Sequence, residues 1–216
     1  MKSLVIIGSG GLAKEVVFLV EEINRAAPLW QLRGFVAQQP ELVGRQHLDY
    51  PIVGTDEWLE QQQEDLAAVA AIGQPAALRA LHTRLKRNPH LLFPNLIHPQ
   101  VSGDWRRIQL GEGNVFLNAA SLTTAIRMQS LNVVNPGCTI AHDCEFGSYN
   151  VICPGANISG GVILGDEVFV GAGAQIRQGL RICSQATLGA GAVVVRDILE
   201  PGTYVGVPAK PLAASG

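Results

Sequence analysis

From Leu110 to Val194 an apolar residue returns every six positions, fifteen times in succession and without an insertion. With 47% of the chain hydrophobic, chance gives such a run at roughly 10⁻⁵ per reading frame, so the period is a property of the fold. Six matches neither the helical period nor strand alternation. It fits a β-solenoid in which each hexad is one short strand and one corner, with glycine, asparagine and small residues at the corners. Three hexads make a triangular coil, which predicts three stacked columns. One is Leu110, Met128, Phe146, Leu164 and Ile182, and the second is Phe116, Val134, Ile152, Val170 and Leu188. The third is Leu122, Ile140, Ile158, Ile176 and Val194. Small or aliphatic residues two positions earlier, such as Ala120, Cys138, Ala156, Ala174 and Ala192, complete an interior in which each coil buries its apolar set against its neighbours.

Upstream the rhythm is different. Apolar runs at Leu4–Ile7, Leu32–Val36, Pro51–Gly54, Ala67–Ile72 and Leu91–Ile97 predict strands. Helical patterns at Ala13–Asn24, Thr55–Gln63 and Pro75–Arg87 lie between them. This alternation predicts a parallel sheet with helical crossovers. The expected organisation is therefore an α/β Rossmann-like domain over residues 1–97 and a repeat domain over residues 98–216.

Charge and cysteine usage narrow the function classes. The formal net charge is −2 and no long basic block occurs, which argues against a nucleic-acid surface. The N-terminal apolar run is too short for a signal peptide, and no stretch approaches a membrane span. The four cysteines show no paired spacing and read as reduced thiols filling apolar space, so a cytoplasmic location is expected. No two of them stand one coil apart, and the array holds one histidine where a β-helix zinc site needs three, so no metal is expected.

Two places carry chemistry. Gly8-Ser9-Gly10-Gly11-Leu12-Ala13 is a glycine turn between a strand and a helix, where a backbone approaches a pyrophosphate closely. The second strand ends Ala37-Gln38-Gln39, without the acid that holds a dinucleotide ribose. A dinucleotide, another nucleotide and a purely structural turn all remain compatible with these residues. The other place is His142-Asp143. His142 stands two positions beyond the inward Ile140, at a corner, facing outward. It is either a plain surface histidine or a base oriented by the adjacent carboxylate.

The combination of GSGGLAKEV at residues 8–16, AIG at 71–73, NLIHP at 95–99, AHDCEFG at 141–147 and GVPAK at 206–210 resembles the hexapeptide-repeat acyltransferases. Within them it is similar to the sugar acetyltransferase branch with an N-terminal nucleotide-sugar domain, which includes sialic acid O-acetyltransferases and bacillosamine and perosamine N-acetyltransferases. The resemblance implies a left-handed parallel β-helix and acetyl-CoA as co-substrate. It implies transfer to the amino group of a nucleotide-linked amino sugar, with O-acetylation of a sugar or sialic acid hydroxyl as the alternative. A catalytically silent scaffold with a ligand-sensing N-terminal domain is the reading from a different class. The chain departs from the resemblance at Leu12, where relatives often carry histidine, and at Ala37 and Gln38, where they often carry acids.

Residue by residue, the resemblance implies His142 as general base and Asp143 as its orienting partner. Gly8, Gly10, Gly11, Leu12, Gln38, Gly73 and Asn135 fall on the nucleotide-sugar side. Gly160, Ala172, Ala190, Pro208 and Lys210 fall on the coenzyme side, with the Gly160 amide as oxyanion donor. It also implies a homotrimer with sites shared between subunits. The repeat array supports assembly independently. Val133, Ala141, Val151, Val193 and Val195 are expected to point outward, and only four charges occur between Leu131 and Ala174.

Overall fold

The computed structural model describes residues 1–212, so residues 213–216 of the expected second domain lie outside the described residues. The chain divides into two compact units, Met1–Pro99 and Gln100 onward. In the first unit β1 (Lys2–Ile7) is central, flanked in parallel by β2 (Trp30–Val36) and by β5 (Leu66–Ala70). Beyond β2 lies β4 (Tyr50–Gly54), which carries the short antiparallel β3 (Gln46–His47). Leu4 to Ile7 are almost wholly buried, as expected for a parallel strand covered on both faces. Helix α1 (Gly11–Ala26) buries Ala13, Val16, Val17 and Val20, a single helical stripe. Helix α2 (Asp56–Glu60) follows β4, and α3 (Pro75–Leu85) follows β5.

The expected strand Leu91–Ile97 does not exist as one element. It is β6 (Leu91–Leu92), paired with β5, and β7 (Leu96–Ile97), separated by Phe93-Pro94-Asn95. Pro94 lacks the N–H that a continuous ladder requires, so the run breaks there. The expected strand Ala67–Ile72 ends at Ala70, which releases Ala71 and Ile72 toward the sheet's carboxyl end.

In the second unit the six-residue period becomes a left-handed parallel β-helix. Its short strands run from β8 (Gln109–Leu110) to β22 (Val193–Val194), and every pairing among them joins residues eighteen apart, whereas Ser102–Ser121 and Ile182–Ile198, toward the two ends, are bridged at other spacings. Leu110, Met128, Phe146, Leu164 and Ile182 form one continuous register, and the other two columns stack in the same way. A residue in the left-handed backbone region recurs once per corner. Ala125, Asp143, Gly161 and Gly179 mark one corner, and Leu131, Tyr149, Glu167 and Gln185 mark another. These residues turn the chain through each vertex while the flanking strands stay extended. The last coil is extended by β23 (Gly202–Val205), parallel to Ala186–Leu188, and β24 (Lys210–Pro211) turns back antiparallel on it.

The core of the helix also contains polar residues. Asn114, Asn132 and Asn150 are fully buried one coil apart. The Asn132 backbone N–H donates to Asn114 Oδ1 at 2.9 Å, the Asn150 N–H to Asn132 Oδ1 at 2.9 Å, and the Val168 N–H to Asn150 Oδ1 at 2.7 Å. Each amide nitrogen donates to the carbonyl three residues back, as Asn132 does to Gln129 at 3.2 Å. Each asparagine therefore closes its own corner and staples it to the next coil.

The three outer faces differ. Gln109, Arg127, Glu145 and Arg181 make a charged, exposed face interrupted by the half-buried Ile163, with Arg127 paired to Glu145 at 2.9 Å. A second face, Ser121, Thr139, Asn157, Gln175 and Val193, is uncharged and polar up to its last residue. The third corrects an expectation. Val133 and Val151 are each only 2% exposed, stacked with Val115 and covered by the chain itself, so they offer nothing to a partner. Ala141, Val193 and Val195 are partly exposed.

Replacing Asn132 with leucine keeps the branched shape and the heavy-atom count but leaves the Asn150 N–H buried without an acceptor. The unfolding free energy of the β-helix should fall by about 1–3 kcal/mol. Urea denaturation followed by circular dichroism measures this, and an unchanged midpoint would show that the ladder is dispensable.

Candidate active site

His142 and Asp143 occupy one corner, and the coils on either side hold their backbone in place. The Asp143 N–H reaches the Thr124 carbonyl at 3.3 Å, and the His142 carbonyl accepts from the Gly161 N–H at 2.8 Å. Asp143 adopts φ +59°, a conformation that aspartate tolerates better than most residues. Its Oδ2 lies 2.8 Å from His142 Nδ1. Both side chains are more than half exposed, so the pair adds little to stability and instead fixes the ring. With Nδ1 donating to the carboxylate, Nε2 is the free basic nitrogen.

One coil further on, Gly160 lies against that ring. A Cβ at Gly160 would stand 2.7 Å from both Cε1 and Nε2 of His142, so the imidazole rests where only a glycine leaves room. Among the described residues no acceptor meets the Gly160 N–H. A base nitrogen and an uncommitted amide donor thus come together at one corner, the pairing that acyl transfer requires.

The remaining sequence-predicted residues of this unit are elsewhere. Ala172 and Ala190 are exposed at the neighbouring corner, in the column that begins with Pro136, at the other end of the uncharged face. Asn135 belongs to that corner as well. It is buried, and its Nδ2 donates to the Ile152 carbonyl at 2.9 Å, so within one chain it does not join His142. Pro208 and Lys210 are exposed on the tail. The tail is held beside β22 by Val193 N–H to the Gly206 carbonyl at 3.0 Å and Ala209 N–H to the Val193 carbonyl at 2.8 Å. Of the expected coenzyme residues, the described structure therefore places Gly160 with His142 at one corner, and Ala172 and Ala190, with the tail that carries Pro208 and Lys210, away from it.

The cysteines take no part in the corner chemistry. All four are free thiols, and burial pushes Cys138 up to about 11 and raises Cys144, Cys153 and Cys183, which makes each a poor nucleophile. Among the described residues no cluster of three or more His, Cys, Asp or Glu side chains is arranged to hold a metal, and no helix is long and apolar enough to cross a membrane.

The first unit has a cleft of about 460 Å³ at the carboxyl ends of four strands. Gly8 and Ser9 follow β1, Val36 to Gln39 end β2, Asp56 follows β4 and Ile72 follows β5. The chain runs outward from β1 through β2 to β4 and then returns to the other side of β1 at β5, so the strand order reverses between β1 and β5, and such a switch point is where open α/β sheets take ligands. Gly8 has φ +109°, and a Cβ there would stand 3.0 Å from the Ala71 carbonyl oxygen, so the position favours glycine. Gly10, Gly11 and Gly73 have nothing within 4 Å of where a Cβ would stand, which leaves their backbone open to a ligand. Gly10 caps α1, whose first turn carries no acid to compensate its N–H groups, and Leu12 lies in that turn. Gln38 lines the cleft and is exposed.

Two residues absent from the sequence-based set also line the cleft. Asp56 is buried and ion-paired with Arg84, whose Nε also meets Glu60 Oε1 at 2.8 Å. Burial raises the Asp56 carboxyl above its usual range, and the guanidinium opposes part of that rise. The sequence offered only a weak signal, an acid directly after Thr55 at a helix start, one strand outward from where a ribose-binding acid is usually sought.

Residues 3–85 match the PglD N-terminal domain family. Over nearly its whole length the chain is similar to the acetyltransferase domain of PglB from Neisseria gonorrhoeae in complex with acetyl coenzyme A. The identity is 30%, covering 98% of this chain and 99% of that one, with a TM-score of 0.87. It is similar to PerB from Caulobacter crescentus in complex with CoA and GDP-perosamine, at 29% identity over 99% and 98% of the two chains and a TM-score of 0.88. WeeI from Acinetobacter baumannii is 25% identical over 98% and 100%, with a TM-score of 0.83. No curated protein sequence matches the chain.

The contact at Gly160 yields a direct test. Gly160→Ala introduces a methyl group where the ring lies, and the exposed imidazole, not the backbone, is the part able to give way. Acetyl transfer should drop about 10²-fold through misplacement of the base, with the melting temperature nearly unchanged. Full activity would show that the ring does not work from this position.

Proposed function

The chain belongs to the hexapeptide-repeat sugar acetyltransferases, and on that premise we propose that it moves an acetyl group from acetyl-CoA to the amino group of a nucleotide-linked amino sugar. The observation that carries this reading is the His142 ring, held by Asp143 through Nδ1 and laid against Gly160 with Nε2 free. The neutral amine attacks the thioester carbonyl carbon as Nε2 takes its proton. The Gly160 N–H stabilises the developing oxyanion, and Asp143 stabilises the imidazolium. Collapse breaks the carbon–sulfur bond, and the imidazolium returns the proton to the departing thiolate. The products are the N-acetylated sugar and free coenzyme A, with no covalent enzyme intermediate.

In this reading the nucleotide sugar places its diphosphate on the N-terminus of α1, where Gly10 and Gly11 leave the backbone open. His142→Ala should lower turnover by about 10²–10⁴-fold while acetyl-CoA affinity stays near that of the wild type. The assay is thiol release from acetyl-CoA with UDP-, GDP- and dTDP-linked amino sugars. Near-wild-type turnover removes His142 from the mechanism. Release with hydroxyl-only sugars, and with none of the amino sugars, overturns the amine assignment.

We also propose a homotrimer with sites shared between subunits. Base and oxyanion donor stand at one corner, Ala172, Ala190 and the tail at the next, and the uncharged face lies between them. A second copy set on that face brings one chain's base to its neighbour's coenzyme corner, and threefold closure satisfies every copy equally. The charged face with Arg127 and Glu145 remains in solvent. Light scattering should give about three times the 23.0 kDa chain mass. A fully active monomer would overturn the shared site.

A further inference from the structure

The cleft of the first unit has a polar feature that the acetyl-transfer chemistry does not use. Resting on the nucleotide-sugar reading above, we propose that Asp56, backed by Arg84, reads the nucleotide base and selects guanine. The strands run β4-β2-β1 across the sheet. A nucleotide whose diphosphate sits at the end of β1 passes its ribose over Gln38 and Gln39 at the end of β2. Its base then arrives at the end of β4, two strand spacings away, on the order of 10 Å. That is the reach of a nucleoside from phosphate to base, and it ends at Asp56.

The walls of the cleft suit a planar ring, since Val36, Ile72, Ala77 and Leu81 line it. Its polar group is unusual. The Asp56 side chain is only 10% exposed; Oδ2 accepts from Arg84 and keeps a second lone pair, and no described residue bonds to Oδ1. Arg84 is pinned from two sides, by Asp56 and by Glu60. The pair therefore presents carboxylate acceptors beside guanidinium donors, in a fixed orientation.

Guanine matches that array. Its N1–H and N2 amino group are adjacent donors for one carboxylate, and O6 beside them accepts from a guanidinium. Uracil and thymine have one imide N–H between two carbonyls, so a carboxylate placed for two bonds meets a carbonyl oxygen instead. Adenine and cytosine offer one amino donor next to a ring acceptor. A buried acceptor left facing an acceptor is costly, and this penalty produces the discrimination.

Calorimetric titration of the whole protein with nucleoside diphosphates tests the assignment. GDP should bind about tenfold tighter than UDP, or better. IDP, which lacks only the 2-amino group, should bind about tenfold weaker than GDP. Asp56→Asn exchanges an acceptor for a donor and should shift preference from GDP to xanthosine diphosphate, whose O2 accepts where guanine donates. A residue with a purely structural role gives no such rescue. UDP binding as tightly as GDP, or an Asp56→Asn variant with unchanged GDP affinity, overturns the base assignment and leaves the nucleotide-sugar reading standing. Absence of binding by every diphosphate overturns both. Should the variant not fold, the wild-type GDP and IDP comparison decides alone.

Discussion

Everything in the second unit depends on the coil-to-coil hydrogen-bond register. Each strand offers only two or three residues to its neighbours, so no single pairing is strong and the stack holds through repetition. The register survives only if every coil spends the same number of residues, and that in turn needs one left-handed residue at each vertex. Insertion of a single residue would rotate all later side chains off their columns. The absence of any insertion between Leu110 and Val194 reflects that condition.

The same constraint builds the corner proposed as catalytic. Asp143 is the residue that turns the chain at its vertex, and the turn places its carboxylate beside the preceding imidazole. Gly160 is adjacent because it stands one coil later, and its missing side chain is the space the ring fills. Imidazole, carboxylate and amide donor thus come from two successive passes through one vertex. Positions enforced by the backbone ladder supply the preorganisation that a loop would have to obtain by other means.

Much of this was legible beforehand because periodicity determines position. All three columns follow from counting by six, and so does the outward corner of His142. The Rossmann-like sheet follows from alternating strand and helix patterns. The departures arise where local pattern competes with a distant neighbour. Val133 and Val151 occupy outward positions by count, yet they are covered once the chain folds. The run at Leu91–Ile97 is apolar throughout but contains a proline that cannot donate to a ladder. The asparagine ladder was concealed because Asn114, Asn132 and Asn150 read as ordinary corner residues. Only the stack shows that each serves the coil that follows it.

The sequence by itself determined the solenoid, its coil length, its columns, the glycine turn and the single histidine beside an acid, because each is a matter of spacing along one chain. The tertiary structure decided which of those residues meet. It laid His142 on Gly160, put Ala172, Ala190 and the tail at a different corner, and brought Asp56 from the start of α2 and Arg84 from α3 into one cleft. Spacing specifies a neighbour only where the backbone repeats. Residues on separate strands and helices meet through packing that no local pattern encodes, which is why the corner could be read in advance and the Asp56–Arg84 pair could not.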